Sequence, residues 1–284
     1  MENEPLNLRE FINIITADTN IHICIHDLSG ILTVPQFQLD DTNTTHFTDM
    51  CNFAKTTQKG LKLCLKCKYL ATRKAIDTQK TFKGVCPLGV TEYVFPVVID
   101  KKVICIIYLG NICENIDYTK RCMQSVAKIT GISGNVTDTI VSMDLSNNED
   151  RYEYIAKAIQ SYITLLYSYA DVKIDKQTHW VVKAFANYAD AYFNKDITIS
   201  ELSDLYNINK KYAGRLFKRQ MQMTFKEYLN MCRIEKAKKM LHYTDMSVSE
   251  IAMYCGYNNI TYFNRIFKNS IGTSPREYRK QFHR

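Results

Sequence analysis

Apolar residues in the last third of the chain recur at steps of three and four positions, the spacing expected for helices that bury one face. Four short stripes follow one another there. In chain order they consist of Ile199, Leu202, Leu205 and Tyr206; Ala213, Leu216 and Phe217; Val248, Ile251, Ala252 and Cys255; and Phe263, Ile266 and Phe267. Thr198 and Ser200, at the start of the first stripe, and Ser247, before the third, are candidate helix caps. The pattern predicts two pairs of short amphipathic helices.

The second pair of stripes repeats the first. The chain reads RLFKRQMQMTFKEY at 215–228 and RIFKNSIGTSPREY at 265–278, so the same residue types recur after 50 positions. Glu201 and Glu250 are only 49 positions apart, which places one additional residue in the second turn, beside Gly256. An internal duplication indicates a repeated supersecondary unit. Two short helices joined by a tight turn, made twice, predict two helix-turn-helix motifs.

Packing of the stripes would leave a polar face on the second helix of each motif. In the first motif this face contains Lys210, Lys211, Gly214, Arg215 and Lys218. In the second it contains Asn258, Asn259, Thr261, Tyr262, Asn264, Arg265 and Lys268. Lys and Arg suit phosphates and guanine edges and Asn suits adenine edges, so both faces are candidates for reading double-stranded DNA. Ordinary solvated faces are the alternative, and the duplication and local charge argue against it.

Residues 225–241 lie between the motifs and contain no Gly or Pro. Their sequence, FKEYLNMCRIEKAKKML, predicts one continuous basic helix of about 25 Å. Such a helix would hold the motifs at a fixed separation. Reading successive major-groove faces requires centres about 34 Å apart, and a stiff connector allows that geometry.

Charge divides the chain near residue 172. Residues 1–172 contain 17 Lys and Arg against 19 Asp and Glu, whereas residues 173–284 contain 20 against 10. We therefore expect the basic part to bind a polyanion and the near-neutral part to bind something else.

No run approaches the roughly 18 apolar residues of a membrane span. The acidic start, MENEPLNLRE, differs from a secretion signal, so we expect a cytoplasmic protein without a membrane partner.

The N-terminal part mixes helix and strand periodicities. Leu8, Phe11, Ile12 and Ile15 predict an opening helix, and residues 46–79 and 118–131 predict further helices. Two segments have the alternation of β-hairpins: 22–34, with a turn at Ser29 and Gly30, and 92–112, with a turn at residues 100–102. An antiparallel sheet flanked by helices is the layout of small-molecule sensors of the PAS and GAF type.

A sensor of this layout holds its effector between the sheet and the helices. The polar residues expected in such a pocket are Glu92, Tyr93, Asn111 and either His22 or His26. Each is also common as a surface residue or as a core residue with a hydrogen-bond partner. The sequence has no nucleophile elbow, P-loop, zinc-protease or dinucleotide motif, so an enzyme is not expected.

Eight of the ten cysteines precede residue 123. Without a secretion signal they are expected to be reduced thiols. Cys64 and Cys67 form a C-x2-C pair, with Cys51 13 residues before it and Cys86 19 residues after it. This spacing allows zinc or an iron-sulfur centre to bind four thiolates. Plain burial is the alternative, since free cysteine is among the most buried residue types.

Residues 149–172 predict a helix with heptad spacing. The stripe consists of Tyr152, Ile155, Ile159, Tyr162, Leu166 and Tyr169. It suits the seam of a homodimer, but packing of the helix on its own domain explains it equally well. In either arrangement the helix leads into the basic domain and is placed to transmit an effector-induced change.

Residues from Trp180 onward resemble the DNA-binding domain of AraC/XylS transcriptional regulators, over about 100 residues. The segment IAMYCGYNNITYFNRIFKNSIGTSPREYRK follows the family signature almost position for position. The resemblance implies a monomeric unit with two helix-turn-helix motifs and a linking helix. It assigns DNA contacts to Lys210, Lys211, Gly214 and Arg215 and to Asn259, Thr261, Tyr262 and Arg265. Gly214 departs from the family pattern. Because Gly costs a helix about 1 kcal/mol relative to Ala, we expect this helix to order fully only on DNA.

Residues 5–170 resemble the PocR sensory domain, a PAS-like module of bacterial regulators. The resemblance is carried by CIHDLSGILT, by FTDMCNFAK and by residues 60–112, from GLKLCLKCKYL to YLGNI. The family commonly has a Cys-His pair followed by Gly-Leu, where this chain has Cys86, Pro87, Leu88 and Gly89. A role of that histidine therefore does not transfer to this chain.

These patterns predict an α+β protein. A PAS-like antiparallel sheet with flanking helices is expected at 1–148, a connecting helix at 149–176 and an all-α double helix-turn-helix domain at 177–284. The expected function is that of a bacterial transcriptional regulator that binds promoter DNA and responds to a small-molecule effector. It is expected to be an activator that contacts RNA polymerase, as most AraC relatives activate. One alternative is a redox- or metal-responsive regulator that senses through its cysteines; a more distant one is an enzyme that transfers alkyl groups to a cysteine.

Overall fold

The computed structural model describes residues 5–132, 136–169, 179–206 and 208–282. The chain divides into two compact units, Met1–Gln177 and Thr178–Arg284. The division lies close to the point at which the sequence becomes basic. Among the described residues, no helix is both long enough and apolar enough to cross a bilayer.

The first unit combines helices with one antiparallel sheet. Its helices are α1 (Leu8–Thr16), α2 (Asp41–Thr44), α3 (Asp49–Ala54), α4 (Gln58–Thr78), α5 (Ile116–Thr130), α6 (Val136–Val141) and α7 (Glu149–Tyr169). Its strands are β1 (His22–Asp27), β2 (Phe82–Val85), β3 (Thr91–Ile99) and β4 (Lys102–Ile112), in the order β1-β4-β3-β2. This agrees with the predicted α+β class.

Both faces of the sheet are covered, so its inner strands are apolar on both sides. On one face Ile25, Ile107 and Leu109 pack in a core shared with α1 and α7. On the other face Cys24 and Tyr108 pack in a core that includes Ala75 of α4. Alternate residues of a strand point to opposite faces, which is why neighbouring positions of β4 contribute to different cores.

The predicted hairpin at 92–112 is confirmed as β3 and β4. Asp100 and Lys101 form its two-residue turn, and both have positive φ, 49° and 61°. Two central residues of positive φ match the twist of the flanking strands. Strand β2, which extends the sheet beyond β3, was not predicted.

The predicted hairpin at 22–34 is wrong after its first strand. Beyond β1 the chain forms two 3-10 turns, Ile31–Thr33 and Pro35–Phe37. The carboxylate of Asp27 accepts hydrogen bonds from the backbone amides of Ser29, Gly30, Ile31 and Leu32. A carboxylate that satisfies successive amides stabilises a turn in place of a strand, and β1 pairs with the distant β4 instead.

The heptad stripe of residues 149–172 is buried in its own domain. Its buried members are Tyr152, Ile155, Ile159 and Leu166, which pack in the core beneath the sheet. This is the second of the two arrangements that the sequence left open, and the stripe is not available as a dimer seam. Helix α7 belongs to the first unit, which extends to Gln177. Residues 170–176 of the predicted connector lie outside the described residues.

The second unit is helical in the described residues. Its helices are α8 (Trp180–Ala191), α9 (Ile199–Leu205), α10 (Lys210–Met221), α11 (Phe225–Tyr243), α12 (Val248–Tyr254), α13 (Ile260–Ile271) and α14 (Pro275–Lys280). The two predicted motifs are α9 with α10 and α12 with α13. The linker α11 has 19 residues and is continuous, which gives it a length of about 28 Å.

Capping boxes mark the duplication in the structure. In each box a hydroxyl accepts from the backbone amide of a Glu three residues later, whose carboxylate accepts from the cap amide. They are Thr198 with Glu201, Thr224 with Glu227, Ser247 with Glu250, and Ser274 with Glu277. Each box satisfies two amides that would otherwise lack a partner at a helix start. Both copies therefore begin their equivalent helices in the same way.

The two motifs differ in their turns, as predicted. Residues 206–209 join the first pair of helices, whereas residues 255–259 join the second pair, one residue more. Gly256 has a φ of 83°, a conformation that favours Gly. A Cβ atom there would lie 2.8 Å from the carbonyl oxygen of Asn194. Asn207, where the sequence predicts the end of the first stripe, lies outside the described residues.

Candidate nucleic-acid interface and sensory cavity

Helix α10 presents a positively charged face opposite its packed face. Its packed face consists of Ala213, Leu216 and Phe217, which are at most 4% exposed. The cations are exposed: Lys210, Lys211, Arg215 and Lys218. The helix starts at Asn209, whose side-chain oxygen accepts from the backbone amides of Lys211 and Tyr212. The cap fixes the direction in which the first turn projects its lysines.

Gly214 lies in the middle of this face, three residues after Lys211 and four before Lys218. The helix runs through it without a break, so the expectation that α10 orders only on DNA is not needed. A Cβ atom at Gly214 would have no atom within 4 Å. The protein's own packing therefore does not require Gly at this position.

Helix α13 presents a polar face with a different composition. Phe263 and Phe267 are completely buried beneath it. The exposed residues at its start and along its outer side are Asn258, Asn259, Thr261, Asn264, Arg265 and Lys268. The guanidinium of Arg265 lies 5.3 Å from the centre of the half-buried Tyr262 ring. This stacking holds Arg265 in a defined position on the face.

Asn259 has a structural role as well as its predicted one. Its side-chain oxygen accepts from the backbone amide of Tyr262 at 2.8 Å and caps α13. Only the side-chain NH2 group of Asn259 therefore remains to contact a base edge. Asn209 holds the equivalent cap position in the first motif, 50 residues earlier.

The outer side of α13 continues into a concave surface. Asn264, Arg265 and Lys268 line it together with Ser249 of α12 and Arg276 of α14. Sequence reasoning missed Ser249 and Arg276. The duplication contained a signal for Arg276, because the equivalent position of the first motif is Lys226, which is also basic and exposed.

The electrostatics of the two faces favour a polyanion. Neither α10 nor α13 contains an acidic residue. Within the described residues, none of the six face cations forms an ion pair: Lys210, Lys211, Arg215, Lys218, Arg265 and Lys268. Surface cations without ion pairs can neutralise phosphates without first breaking an internal ion pair.

A cavity lies beside the sheet in the first unit. Its lining residues are His46, Cys51, Ala54, Gly60, Leu63, Cys64, Cys67, Lys68, Cys86, Pro87, Leu88, Val90, Glu92 and Val126. Its internal volume is about 50 Å³, whereas one water needs roughly 10–15 Å³. The cavity therefore accommodates a small molecule of only a few atoms in this conformation.

Three polar side chains of the cavity have perturbed protonation. Burial raises the pKa of Glu92 to about 8, which favours a protonated carboxyl near neutral pH. Burial also lowers the pKa of Lys68 and, strongly, that of His46. The ring of His46 bonds to the carboxyl of Glu92, with Nδ1 3.1 Å from Oε1. Within the described residues, the ammonium of Lys68 has no hydrogen bond or ion pair.

Two protein families match the chain. The family described as the sensory domain found in PocR matches residues 6–168, more than half of the chain. The chain belongs to the PocR sensory-domain family. A helix-turn-helix domain family matches residues 202–281, and the second unit is an AraC-type helix-turn-helix domain, as the resemblance implied. These families are those of transcriptional regulators and not of enzymes.

Similar proteins match through the AraC-type domain. The uncharacterized HTH-type transcriptional regulator YijO of Escherichia coli K12 is 31% identical over 114 residues, which are 40% of each chain. The melibiose operon regulatory protein of the same strain is 28% identical over 107 residues, 38% of this chain and 35% of its own. The matched segment thus spans well under half of these relatives. The C-terminal domain of AraT from Geobacillus stearothermophilus is 29% identical, with a TM-score of 0.36, covering 37% of this chain and 88% of that one.

The PocR-type domain brings one of the predicted pocket residues, Glu92, to the cavity. Tyr93 points to the other face of the sheet, where its hydroxyl donates to Glu149 Oε1 at 3.0 Å. Asn111, with a φ of 67°, donates from its amide to the carbonyl oxygens of Asn20 and Ser142. These two residues are structural, which corrects their predicted place in the pocket.

The predicted histidines also lie outside the lining of this cavity. Nε2 of His22 is 3.1 Å from the carbonyl oxygen of Thr45 and 3.3 Å from the amide nitrogen of Phe47. The ring therefore anchors the segment before α3. His26 stacks at an angle on Tyr108, with ring centres 4.7 Å apart. In their place the fold brings in His46 and Lys68, which sequence reasoning missed.

All four cysteines of the predicted cluster line the cavity. Burial raises the pKa of Cys64 to about 11 and that of Cys67 to about 12, and it also raises the pKa of Cys86 well above its ordinary value. Protonated thiols are weak nucleophiles and weak redox sensors. Among the described residues, no three of these sulfur atoms lie within 4.8 Å of one another. A four-sulfur zinc or iron-sulfur centre would require them to move together, and it stays a prediction.

Proposed function

We propose that the chain is a sequence-specific transcriptional regulator. Its AraC-type domain would read double-stranded operator DNA, and its PocR-type domain would bind a small effector. The observation that supports DNA reading is the pair of exposed faces without acidic residues on α10 and α13, joined by the continuous α11. One face is rich in Lys and the other in Asn, and these side chains favour different bases. Each chain should therefore read an asymmetric site.

The DNA-reading role can be tested with the full-length protein and a pool of random double-stranded DNA. Selection should converge on an asymmetric site whose affinity falls steeply with salt. Arg265→Ala should relax the choice of one base position, at a cost of about 1–3 kcal/mol. Lys128→Ala, which removes an exposed positive charge from α5, should select the same site as the wild type. Failure to enrich any site, or normal selection by Arg265→Ala, would contradict the proposal.

We propose that the effector is a small carboxylate bound in the cavity of the PocR-type domain. Lys68 supplies a cation without an internal partner, which an anionic oxygen would satisfy. Glu92, with its raised pKa, can donate a hydrogen bond to the second oxygen. The apolar part of the effector would contact Leu63, Leu88, Val90 and Val126, which line the rest of the cavity.

The effector class can be tested by thermal unfolding of the full-length protein. Acetate, propionate and butyrate serve as probes, and the alcohols of the same chain length serve as neutral controls. A ligand that binds only the folded state raises the unfolding temperature by mass action. We expect the carboxylates to stabilise the wild type and Lys66→Met, which removes an exposed lysine from the same helix. Lys68→Met should not respond; if it does, or if no carboxylate stabilises the wild type, the assignment is wrong.

We propose that the regulator acts in the cytoplasm as an activator that contacts RNA polymerase. The AraC resemblance supports this role.

We also propose a homodimer, which would have to use a surface other than the stripe of α7 that is buried in its own domain. Transcription with purified polymerase from a selected promoter tests activation, and sedimentation of the DNA-free protein tests the dimer.

A further inference from the structure

Three potential metal ligands meet on the α4 side of the sheet. Cys24 and His26 are two residues apart in β1, so their side chains leave the same face of the strand. His46 reaches them from the segment between α2 and α3. The Sγ atom of Cys24 and one ring nitrogen from each histidine all lie within 4.8 Å of one another. Among the described residues, the cysteines of the C-x2-C cluster do not come together in this way.

His46 is prepared as a ligand by its neighbour. Its Nδ1 atom is 3.1 Å from the carboxyl of Glu92. Its Nε2 atom is buried and has no hydrogen-bond partner in the described residues. A carboxyl oxygen that accepts from one ring nitrogen fixes the ring orientation and leaves the lone pair of the other nitrogen available, as is usual for histidines that bind metals.

The surroundings keep the three residues in place. Tyr108 pairs with Cys24 across the strands, and its ring centre lies 4.7 Å from that of His26 and 5.2 Å from that of His46. The Tyr108 hydroxyl is held by Thr72 Oγ1 at 2.6 Å. Lys55, which is 8% exposed, donates from Nζ to the carbonyl oxygen of His46. Thus the strand and the segment that carries His46 are both anchored.

We propose that Cys24, His26 and His46 bind a divalent metal ion, with Nε2 as the ligand atom of His46 and Glu92 as the residue that orients it. One sulfur and two imidazole nitrogens are a donor set that suits Zn²⁺. Binding would release the proton of the Cys24 thiol to solvent, with no change of oxidation state. The Cys24 thiolate supplies negative charge next to the ion, close to the cations of Lys55 and Lys68.

Three protein ligands leave one coordination position of a tetrahedral ion open. His46 and Glu92 also line the cavity, so the ion would adjoin the cavity. It would tie the segment between α2 and α3 to the sheet and would thereby fix one cavity wall. The metal site shares His46 and Glu92 with the cavity, but Cys24 and His26 are not cavity residues, so substitution of Cys24 tests the metal without changing the cavity lining.

Metal content and coordination can be measured on full-length protein purified without oxygen and then loaded with Zn²⁺. Elemental analysis should find about one zinc per chain. X-ray absorption of that zinc should show one sulfur at about 2.3 Å and otherwise nitrogen or oxygen at about 2.0 Å. This measurement uses the wild type and does not depend on the folding of a variant. Four sulfur ligands, or no retained zinc after removal of the excess, would overturn the proposal.

Variants then locate the ion. Cys24→Ser and His46→Gln should each lower zinc retention at least tenfold, and both keep a similar side-chain volume. The matched control is the pair Cys64→Ser and Cys67→Ser, which removes thiols from the same cavity wall and should retain the ion. Loss of zinc from the control, with retention in Cys24→Ser, would place the metal on the C-x2-C cluster and refute the new site. DNA selection by the same proteins is a separate readout and tests the proposed function alone.

Discussion

Arg233 in the linker helix donates from Nε to the carbonyl oxygen of Phe193 at 2.6 Å. Its Nη2 atom also donates to the carbonyl oxygen of Lys195 at 3.0 Å. The same guanidinium lies 5.2 Å from the ring centre of Tyr257, in the turn of the second motif. The linker therefore fastens the segment before the first motif to the turn of the second one through a single side chain.

Arg233→Lys should destabilise the DNA-binding domain. A lysine has no planar fork and cannot donate to both carbonyl oxygens in this geometry. Hydrogen bonds to charged groups contribute about 1.5–3 kcal/mol, and we expect a loss of that order in the free energy of unfolding. The chain has one Trp, Trp180 at the start of α8, so urea unfolding followed by Trp fluorescence reports on this domain. An unchanged midpoint would show that the two hydrogen bonds do not stabilise the domain.

Ala substitutions at two glycines should have opposite effects on stability. Gly256→Ala should destabilise the domain by at least about 1–2 kcal/mol, the cost of a left-handed conformation for a residue with a Cβ atom. The short contact with Asn194 adds to this cost. Gly214→Ala should stabilise the domain by roughly 0.5–1 kcal/mol, since Gly lowers the stability of a helix interior. Both changes are measured by the same urea titration.

Gly214→Ala also tests why a glycine lies on the reading face. If the DNA backbone or a base edge approaches the helix there, the added methyl group should weaken specific binding although the protein is more stable. Affinity for the selected site measures this. Equal affinity of wild type and variant would show that close approach does not explain Gly214.

Much of the second unit could be predicted from sequence because its signals are local. The apolar stripes, the caps at Thr198 and Ser247 and the turn at Gly256 each depend on residues a few positions apart. The duplication gives every such signal twice. What the sequence could not show was the engagement of the Asn259 side-chain oxygen in its own cap, because the same residue type suits a cap and an adenine edge.

The first unit was harder to predict because its decisive contacts are distant in sequence. Ile25 of β1 pairs with Ile107 of β4, and no local pattern announces that pairing. The sequence after β1 alternates like a strand, but the four amide hydrogen bonds of Asp27 hold it in turns. The helical stripe of 149–172 suited a second copy of the chain and its own domain equally. Only the fold shows that it packs in its own domain, beneath the sheet.

The residues that line the cavity were also hard to predict from the sequence. Helix α4 carries lysines at 59, 62, 66, 68 and 74, and sequence alone does not show which of them turns inward. Lys68 does, while Lys66 remains exposed. The four cysteines of the predicted cluster line the same cavity, but their spacing in the sequence does not show how far apart the sulfur atoms lie.

Lysines of the two faces should contribute to affinity without contributing to base choice. Lys218→Ala and Lys268→Ala each remove one exposed cation near the end of a recognition helix. If each contacts a phosphate, each variant should bind all sequences more weakly and should lower the salt slope of binding by about 1. Binding to the selected site and to an unrelated duplex, each at several salt concentrations, measures both effects. A change of the preferred sequence would instead identify the lysine as a base reader.

The DNA-binding domain should lose stability in acid because of its capping boxes. Hydrogen bonds with the cap residues lower the pKa values of Glu227, Glu250 and Glu277 below the ordinary value of 4.5. A carboxyl whose pKa is lower in the folded state stabilises that state above the unfolded pKa. This contribution is lost as the pH falls from about 4.5 through the lowered values, and these exposed groups should not make stability vary between pH 6 and 8.

Gln at the three positions separates titration from capping. Gln can still accept the hydrogen bond of a capping box, but it does not ionise. The triple variant should therefore be less stable than the wild type near pH 7, where the charged acceptor and the helix dipole favour Glu. The difference should shrink as the pH falls below 4.5, when the wild-type carboxyls become protonated. Urea unfolding followed by Trp180 fluorescence between pH 3 and 7 measures both curves; a difference that is constant across this range would show that the boxes do not cause the acid sensitivity.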